Sequence, residues 1–135
     1  MQILEKLKPL ALLLLRLGLG AIFIYHGFPK LFTHAHETLQ EFPRMGFPSY
    51  FAYVAGVVEF FGGWLLVLGL FTRIAALFLA GEMAIAIIRV HLPQGGWLAI
   101  SNYQFPLSLA VSAFALVAVG AGAISFDRAI FKNKA

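Results

Sequence analysis

The chain has 135 residues, of which 61% are apolar and only 12% carry a charge. Soluble domains are about 45–50% apolar and about 25% charged, so this composition and a mean hydropathy of +0.86 indicate an integral membrane protein. The net charge of +4 does not indicate nucleic-acid binding, because the basic residues cluster at the ends of apolar runs and form no patch interleaved with aromatic residues.

Four apolar runs have about the length of a transmembrane helix, which needs roughly 20 residues to cross a hydrocarbon core. They cover residues 10–32, 51–71, 74–92 and 105–126. The first run continues well past the apolar core of a signal peptide and lacks a cleavage site, so we interpret it as a retained span. The sequence therefore predicts an all-α, four-helix transmembrane bundle that forms a single domain over residues 1–135.

The connections between the spans are short or amphipathic. Spans two and three are separated by Thr72 and Arg73 alone, which predicts a tight antiparallel hairpin. Gly69 is expected to end the first of these helices and Thr72 to cap the second. The first loop contains the segment THAHETLQEF, for which we predict a short interfacial helix.

The distribution of lysine and arginine predicts the orientation of the bundle. Most of the basic residues outside its core lie in the N-terminus, the second loop and the C-terminus, and the positive-inside rule places these in the cytoplasm. They are Lys6, Lys8, Arg73, Arg128, Lys132 and Lys134. We therefore expect a multi-pass protein of the cell inner membrane with both termini cytoplasmic.

Four ionisable residues lie inside the apolar runs, where a charge is costly unless it faces the protein interior and finds a partner. They are Arg16, Glu59, Glu82 and Arg89. Glu59 shares a helical face with several glycines, and small residues let membrane helices approach closely. Glu59 is therefore predicted to face a neighbouring helix rather than lipid.

Depth along each span suggests which charges pair. With a rise of about 1.5 Å per residue, Arg16 and Glu82 lie in the inner half of the membrane, and Glu59 and Arg89 in the outer half. We predict the ion pairs Arg16–Glu82 and Glu59–Arg89. An alternative that the residues leave open is that such pairs only fix the register of the helices.

Two further residues extend the polar stripe of the first span to its outer end, His26 and Lys30. A path to water is expected of a binding site and not of a purely structural pair. We therefore predict a polar cavity that opens on the outer side between the first three spans. Its expected lining is His26, Lys30, Glu59 and Arg89.

Three segments carry a resemblance to a known family. They are RLGLGAIFIYHGFPKLF, VVEFFGGWLLVLGLFTRIAAL and GAGAISFD, and the similarity runs from about Leu14 to Arg128. In these segments the chain resembles the DoxX family of small four-helix membrane proteins. One departure concerns an acidic residue that the family often has after the third loop, where this chain has Gln104 in NYQFP. The resemblance implies a loose association with quinone-linked or sulfur oxidation and with oxidative-stress complexes.

These observations together predict a membrane subunit or accessory of a quinone-linked redox or oxidative-stress system. The chain has no cysteine, so it cannot perform thiol redox chemistry, and we expect it to act as an oxidoreductase subunit rather than as an enzyme alone. The predicted ligand-binding or proton-relay residues are Arg16, His26, Lys30, Glu59, Glu82 and Arg89. No metal site and no intrinsic cofactor are expected. Quinone is the candidate cofactor, and a haem between His26 and His91 is disfavoured.

The expected partners are membrane lipid, quinone, a redox protein or further copies of the same chain. Two other classes of function stay open at this point. One is a transporter or binding protein for lipids or small molecules that works as an oligomer, although no inverted repeat is visible. The other is a structural membrane anchor for a partner enzyme.

Overall fold

The computed structural model describes residues 2–131, and within this range every regular element is helical. The α-helices are α1 (Gln2–Lys6), α2 (Lys8–Phe28), α3 (Ala35–Arg44), α4 (Phe51–Leu68), α5 (Thr72–Ala86), α6 (Gln104–Val119) and α7 (Phe126–Phe131). A π-helical turn extends α2 through Pro29–Thr33, and another extends α5 through Ile87–His91. Two 3-10 turns, Leu92–Gln94 and Ile100–Asn102, follow before α6.

Three of these helical segments are long and apolar enough to cross a membrane. They are Lys8–Thr33 with 26 residues, Phe51–Leu68 with 18 and Thr72–Gln94 with 23. They coincide with the first three predicted spans to within a few residues. The all-helical membrane character predicted from the sequence is therefore confirmed. The segment THAHETLQEF also forms a helix, α3, as predicted.

The fourth helix differs from its prediction. It has 16 residues and ends at Val119, so the predicted end at residue 126 is wrong. Gly120 and Gly122 both have φ of 87°, which takes the chain out of the helix. Residues 120–125 are irregular, and the chain then turns back into the short helix α7.

Helices α2 and α4 touch along their glycines. A Cβ added at Gly20 would lie 2.6 Å from the carbonyl oxygen of Gly63, and one at Gly27 would lie 2.5 Å from the backbone nitrogen of Phe60. The two backbones can be this close only because no side chain separates them. Glu59 is buried in this contact face, as predicted.

The apolar core lies among α2, α4, α5 and α6. Its buried members are Leu19, Phe23, Leu66, Ala75, Ala76, Leu79, Leu109, Ala113 and Leu116. Gly62 of α4 makes contact with Leu79 of α5 here, since a Cβ at Gly62 would meet the Leu79 side chain at 3.3 Å. The seam between α4 and α5 is therefore closed near their hairpin.

The hairpin between α4 and α5 depends on a side chain from α7. Gly69 ends α4 with φ of 68°, and Phe71 precedes α5 with φ of 49°. The predicted cap by Thr72 is wrong, because its hydroxyl is buried without a hydrogen-bond partner within residues 2–131. Asp127 caps α5 instead: its carboxylate accepts the backbone N–H groups of Phe71 at 2.6 Å and Thr72 at 2.9 Å.

Candidate functional site

A cavity of about 770 Å³ lies between α4 and α5, on the side of the Gly62–Leu79 contact that is remote from the hairpin. Helix α3 covers one end of it with Thr38 and Phe42, and Met45, which follows the helix, also lines this end. Apolar side chains from α4 and α5 form most of the wall. The polar lining residues are few: Lys30, Thr38, Glu41, Glu59, Glu82 and His91. An apolar chamber with a few convergent polar groups is the usual form of a small-molecule site.

Lys30 and Glu59 form an ion pair at the wall of this cavity. The Lys30 Nζ donates to Glu59 Oε1 at 2.5 Å. The Glu59 side chain is only 4% exposed, whereas that of Lys30 is 24% exposed. The buried carboxylate is thus neutralised by a cation that also reaches toward solvent.

The position of Lys30 follows from a proline. Pro29 has no N–H and cannot continue the regular pattern of α2. The helix widens into the π-helical turn, which closes with a hydrogen bond from the His34 N–H to the Pro29 carbonyl oxygen at 2.7 Å. Such π-helical segments inside helices are frequent at functional sites. The second one, at the end of α5, carries Arg89 and His91.

Glu82 is a second carboxyl group in the same cavity. Both of its oxygens are shielded from solvent and make no hydrogen bond of normal geometry in the described part of the chain, although the Glu59 carboxyl group lies beside them at the limit of hydrogen-bonding distance. Glu59 and Lys30 are its charged neighbours, so one ammonium group faces two carboxyl groups. A buried carboxyl group without a partner is costly unless it holds a proton or meets a ligand. The arrangement can therefore exchange a proton or hydrogen-bond a ligand oxygen.

The predicted pair Glu59–Arg89 is wrong. Arg89 is exposed, and its guanidinium carbon lies 5.9 Å from the ring centre of Phe47, outside the cavity. Arg89 instead borders a smaller groove of about 400 Å³ next to Phe47 and Ile88. Glu59 pairs with Lys30 instead of Arg89, because the π-helical turn at Pro29–Thr33 brings Lys30 toward α4.

The predicted pair Arg16–Glu82 is also wrong. Arg16 is 1% exposed and lies near the hairpin, where its Nη2 donates to the Ile124 carbonyl oxygen at 2.5 Å. Asp127 is the acidic group whose charge acts on Arg16, without a hydrogen bond between the two side chains within residues 2–131. Two other nitrogens of Arg16, Nε and Nη1, have no partner within residues 2–131. Arg16 thus belongs to a structural cluster with α7 and not to the cavity.

His26 does not line the cavity either. Its Nδ1 hydrogen-bonds with the Ile22 carbonyl oxygen of the preceding turn at 2.8 Å, and its exposed ring lies 5.8 Å from that of Phe105. His91, by contrast, borders the cavity. The predicted outer site therefore keeps Lys30 and Glu59, gains Glu82 and His91, and loses His26 and Arg89.

Sequence reasoning missed two contributions to these clusters. Asp127 was visible only as part of GAGAISFD, and nothing in the spacing indicates that it caps the start of α5. The lining by α3 was also missed, although that helix is strongly amphipathic and follows Lys30 directly. Its apolar face had to cover some surface of the bundle.

The match to a family model covers residues 11–92 of this chain, and the model is that of DoxX. The chain belongs to the DoxX family. The matched segment contains most of α2 and all of α4 and α5, and thus Lys30, Glu59 and Glu82. The structure of this DoxX protein and its composition agree that it is a membrane protein.

Several relatives cover almost the whole DoxX chain. A Bacillus subtilis protein named "Putative oxidoreductase CatD" is 36% identical over 122 residues, which are 90% of this chain and 88% of the relative. The inner membrane protein YqjF of Escherichia coli is 31% identical over 133 residues, 96% of this chain and 98% of the relative. The inner membrane protein YphA of the same organism is 34% identical over 128 residues, 90% and 91% of the two chains. No solved structure matches the chain.

Proposed function

We propose that this protein is an inner-membrane subunit or accessory of a quinone-linked redox or oxidative-stress system. In this proposal its cavity holds the polar head group of a quinone and relays protons. The observation that carries the proposal is Glu82, a buried carboxyl group with no hydrogen-bond partner in the described chain, at the wall of a largely apolar cavity. The name of the Bacillus subtilis relative, which includes the word oxidoreductase, supports a redox role. The names of the Escherichia coli relatives support the inner membrane as its location.

The residues of the cavity fit a quinone by charge and by shape. A quinone ring carries carbonyl oxygens, which accept hydrogen bonds, and an apolar tail. The ammonium of Lys30 can donate to one such oxygen while it stays paired with Glu59. Glu82 can hold a proton and donate it in a hydrogen bond. The apolar wall suits the tail.

A bound quinone would supply the two-electron redox chemistry that the chain itself lacks. The protein residues would bind and orient the ring, exclude water and hold protons. Lys30, Glu59 and Glu82 are the residues we assign to this role. Arg16, His26 and Arg89, which the sequence also suggested, lie outside the cavity and are not part of the proposed site.

We also propose four membrane spans with cytoplasmic termini. Helix α6 has 16 residues, about 24 Å at 1.5 Å per residue, and would cross as the fourth span together with the residues that follow it. The basic residues Lys6, Lys8, Arg73 and Arg128 lie at the hairpin end of this arrangement. Lys132 and Lys134, which support the same orientation, lie outside the described residues.

The experiment that tests the function is the identification of what the protein carries from its native membrane. The protein is purified in mild detergent, its absorbance spectrum is recorded, and the extracted small molecules are identified by mass spectrometry. An unrelated four-span protein purified from the same membranes serves as the control. We expect quinone at a ratio to protein well above the control. Quinone at the control level would refute the proposal.

A second candidate is a lipid-binding or lipid-transporting protein. The observation that favours it is the same apolar wall, which would also suit an acyl chain. Enrichment of one phospholipid class without quinone would support this candidate. A Soret band in the spectrum would instead indicate haem.

A further inference from the structure

The cavity is bordered by side chains that face the lipid. Three residues of its wall are Val54 of α4 and Leu77 and Phe78 of α5, and their exposed fractions are 48%, 57% and 62%. On a membrane-spanning helix such exposed apolar side chains lie against acyl chains. Within residues 2–131, the cavity is therefore separated from the bilayer core by these side chains and not by a further helix.

Gly81 lies in this wall next to Glu82. It borders the cavity, and no atom of the described structure lies within 4 Å of the place where a Cβ would stand. The glycines of α4 behave differently, because a Cβ at Gly56, Gly62 or Gly63 would meet side chains or backbone of a neighbouring helix. A glycine at position 81 is thus not required for the close approach of another described helix. It leaves open space beside the carboxyl group of Glu82, which makes no hydrogen bond of normal geometry among the described residues.

Two other sides of the cavity are narrowed by contacts between elements. The Gly62–Leu79 contact closes the seam toward the hairpin. Helix α3 lies over the opposite end, where Thr38 is 8% exposed and Phe42 and Met45 border the cavity. The gap at Gly81 between α4 and α5 is the side that faces the bilayer.

We infer that the ligand reaches Glu82 from within the bilayer, through the gap between α4 and α5 at Gly81, and that Gly81 keeps this gap open. This inference rests on the proposed function and assigns the route and the ligand class: a membrane-dissolved molecule with a hydrogen-bonding ring and an apolar tail. The head meets Glu82 and the Lys30–Glu59 pair, and the tail lies between α4 and α5 against Val54 and Phe78. A water-soluble anion would not enter by this route, because it would have to pass through the apolar bilayer core.

The test is a graded series at Gly81 with a matched control at Gly18. At Gly18 of α2, too, no atom of residues 2–131 lies within 4 Å of the place where a Cβ would stand, and this glycine is exposed but does not border the cavity. The variants Gly81→Ala, Gly81→Leu and Gly81→Phe are compared with Gly18→Ala, Gly18→Leu and Gly18→Phe. Each protein is reconstituted in lipid nanodiscs, and saturation binding of a radiolabelled benzoquinone with a decyl tail is measured. Thermal unfolding of each variant in the same nanodiscs checks that it is folded.

We expect binding to weaken as the side chain at position 81 grows, by at least tenfold for Gly81→Phe, while the Gly18 series stays within about twofold of the wild type. Equal binding by Gly81→Phe and Gly18→Phe would refute entry through the gap at Gly81 but would not contradict the proposed function. If the phenylalanine variant does not fold, Gly81→Ala and Gly81→Leu carry the comparison. The absence of saturable binding to the wild-type protein would refute the proposed function itself, and the inference with it.

Discussion

Glu59 shows which part of a membrane site can be predicted from sequence at the scale of one residue. Its inward direction was correctly predicted, because glycines on the same helical face indicate a close helix contact. The ion-pair partner of Glu59 was not correctly predicted, because sequence periodicity shows which residues share a helical face but not how that helix is rotated against its neighbours. The long stem of Lys30 adds to this difficulty, since a flexible cation can reach partners at several depths.

The ion pair of Lys30 and Glu59 has an asymmetry that stability measurements can detect. Lys30→Met leaves the carboxylate of Glu59, 4% exposed, without its cation. We expect a loss of about 2–3 kcal/mol, somewhat below the roughly 3–5 kcal/mol for breaking a fully buried pair. Glu59→Gln should cost less, since Lys30 is 24% exposed and can extend toward water. Reversible unfolding in mixed micelles gives both values.

A double-mutant cycle identifies the partner of Glu59 directly. Lys30→Met combined with Glu59→Leu should be milder than Lys30→Met alone, because no buried charge is left unpaired. The matched control is the cycle between Glu59 and Arg89, for which we expect no coupling. Strong coupling to position 89 and none to position 30 would contradict the observed pairing.

At the scale of elements, the first three spans were predictable and the end of the fourth was not. Long apolar runs specify membrane helices because every backbone polar group must be satisfied within the segment. The run GAGAIS has the same apolar composition, yet Gly120 and Gly122 adopt positive φ angles there. Composition alone does not distinguish a glycine that packs inside a helix, such as Gly63, from one that ends it.

Helix α7 stabilises the hairpin through Asp127, a contact between residues 55 and 56 positions apart that no local pattern predicts. Asp127→Ala removes the acceptor of two backbone N–H groups, and losing a helix cap costs about 0.5–2 kcal/mol. The loss should exceed that range, because buried Arg16 also loses its acidic neighbour. Chemical unfolding in micelles measures it.

The control for this prediction is Arg16→Met, alone and combined with Asp127→Ala. The combined variant should be more stable than the sum of the two single losses predicts, because each change removes the need for the other group. Additive losses would show that Arg16 and Asp127 act independently, against the account given for this cluster.

At the scale of the whole molecule, the orientation of the bundle decides which side of the membrane the cavity serves. The proposed topology places the C-terminus in the cytoplasm and the loop at Gly95 and Gly96 outside. A green fluorescent protein fused after Ala135 should fluoresce, and alkaline phosphatase inserted in that loop should be active. The control exchanges the two reporters. Phosphatase activity at the C-terminus would show that α6 does not cross the membrane or that the bundle is inverted.

The carboxyl group of Glu82, which makes no hydrogen bond of normal geometry within residues 2–131, is proposed to meet a ligand and not to hold the bundle together. Glu82→Leu removes a buried polar group that has no hydrogen-bond partner among the described residues, so folding should be unchanged or more stable. Glu59→Leu is the matched control, since it removes a paired carboxylate from the same cavity and should destabilise the protein.

Saturation binding of the decyl benzoquinone to wild-type and Glu82→Leu protein in nanodiscs, measured alongside their unfolding temperatures, distinguishes these two roles of Glu82. We predict that Glu82→Leu unfolds at or above the temperature of the wild type and binds the quinone at least tenfold more weakly. A folded Glu82→Leu protein that binds it as tightly as the wild type would contradict the account.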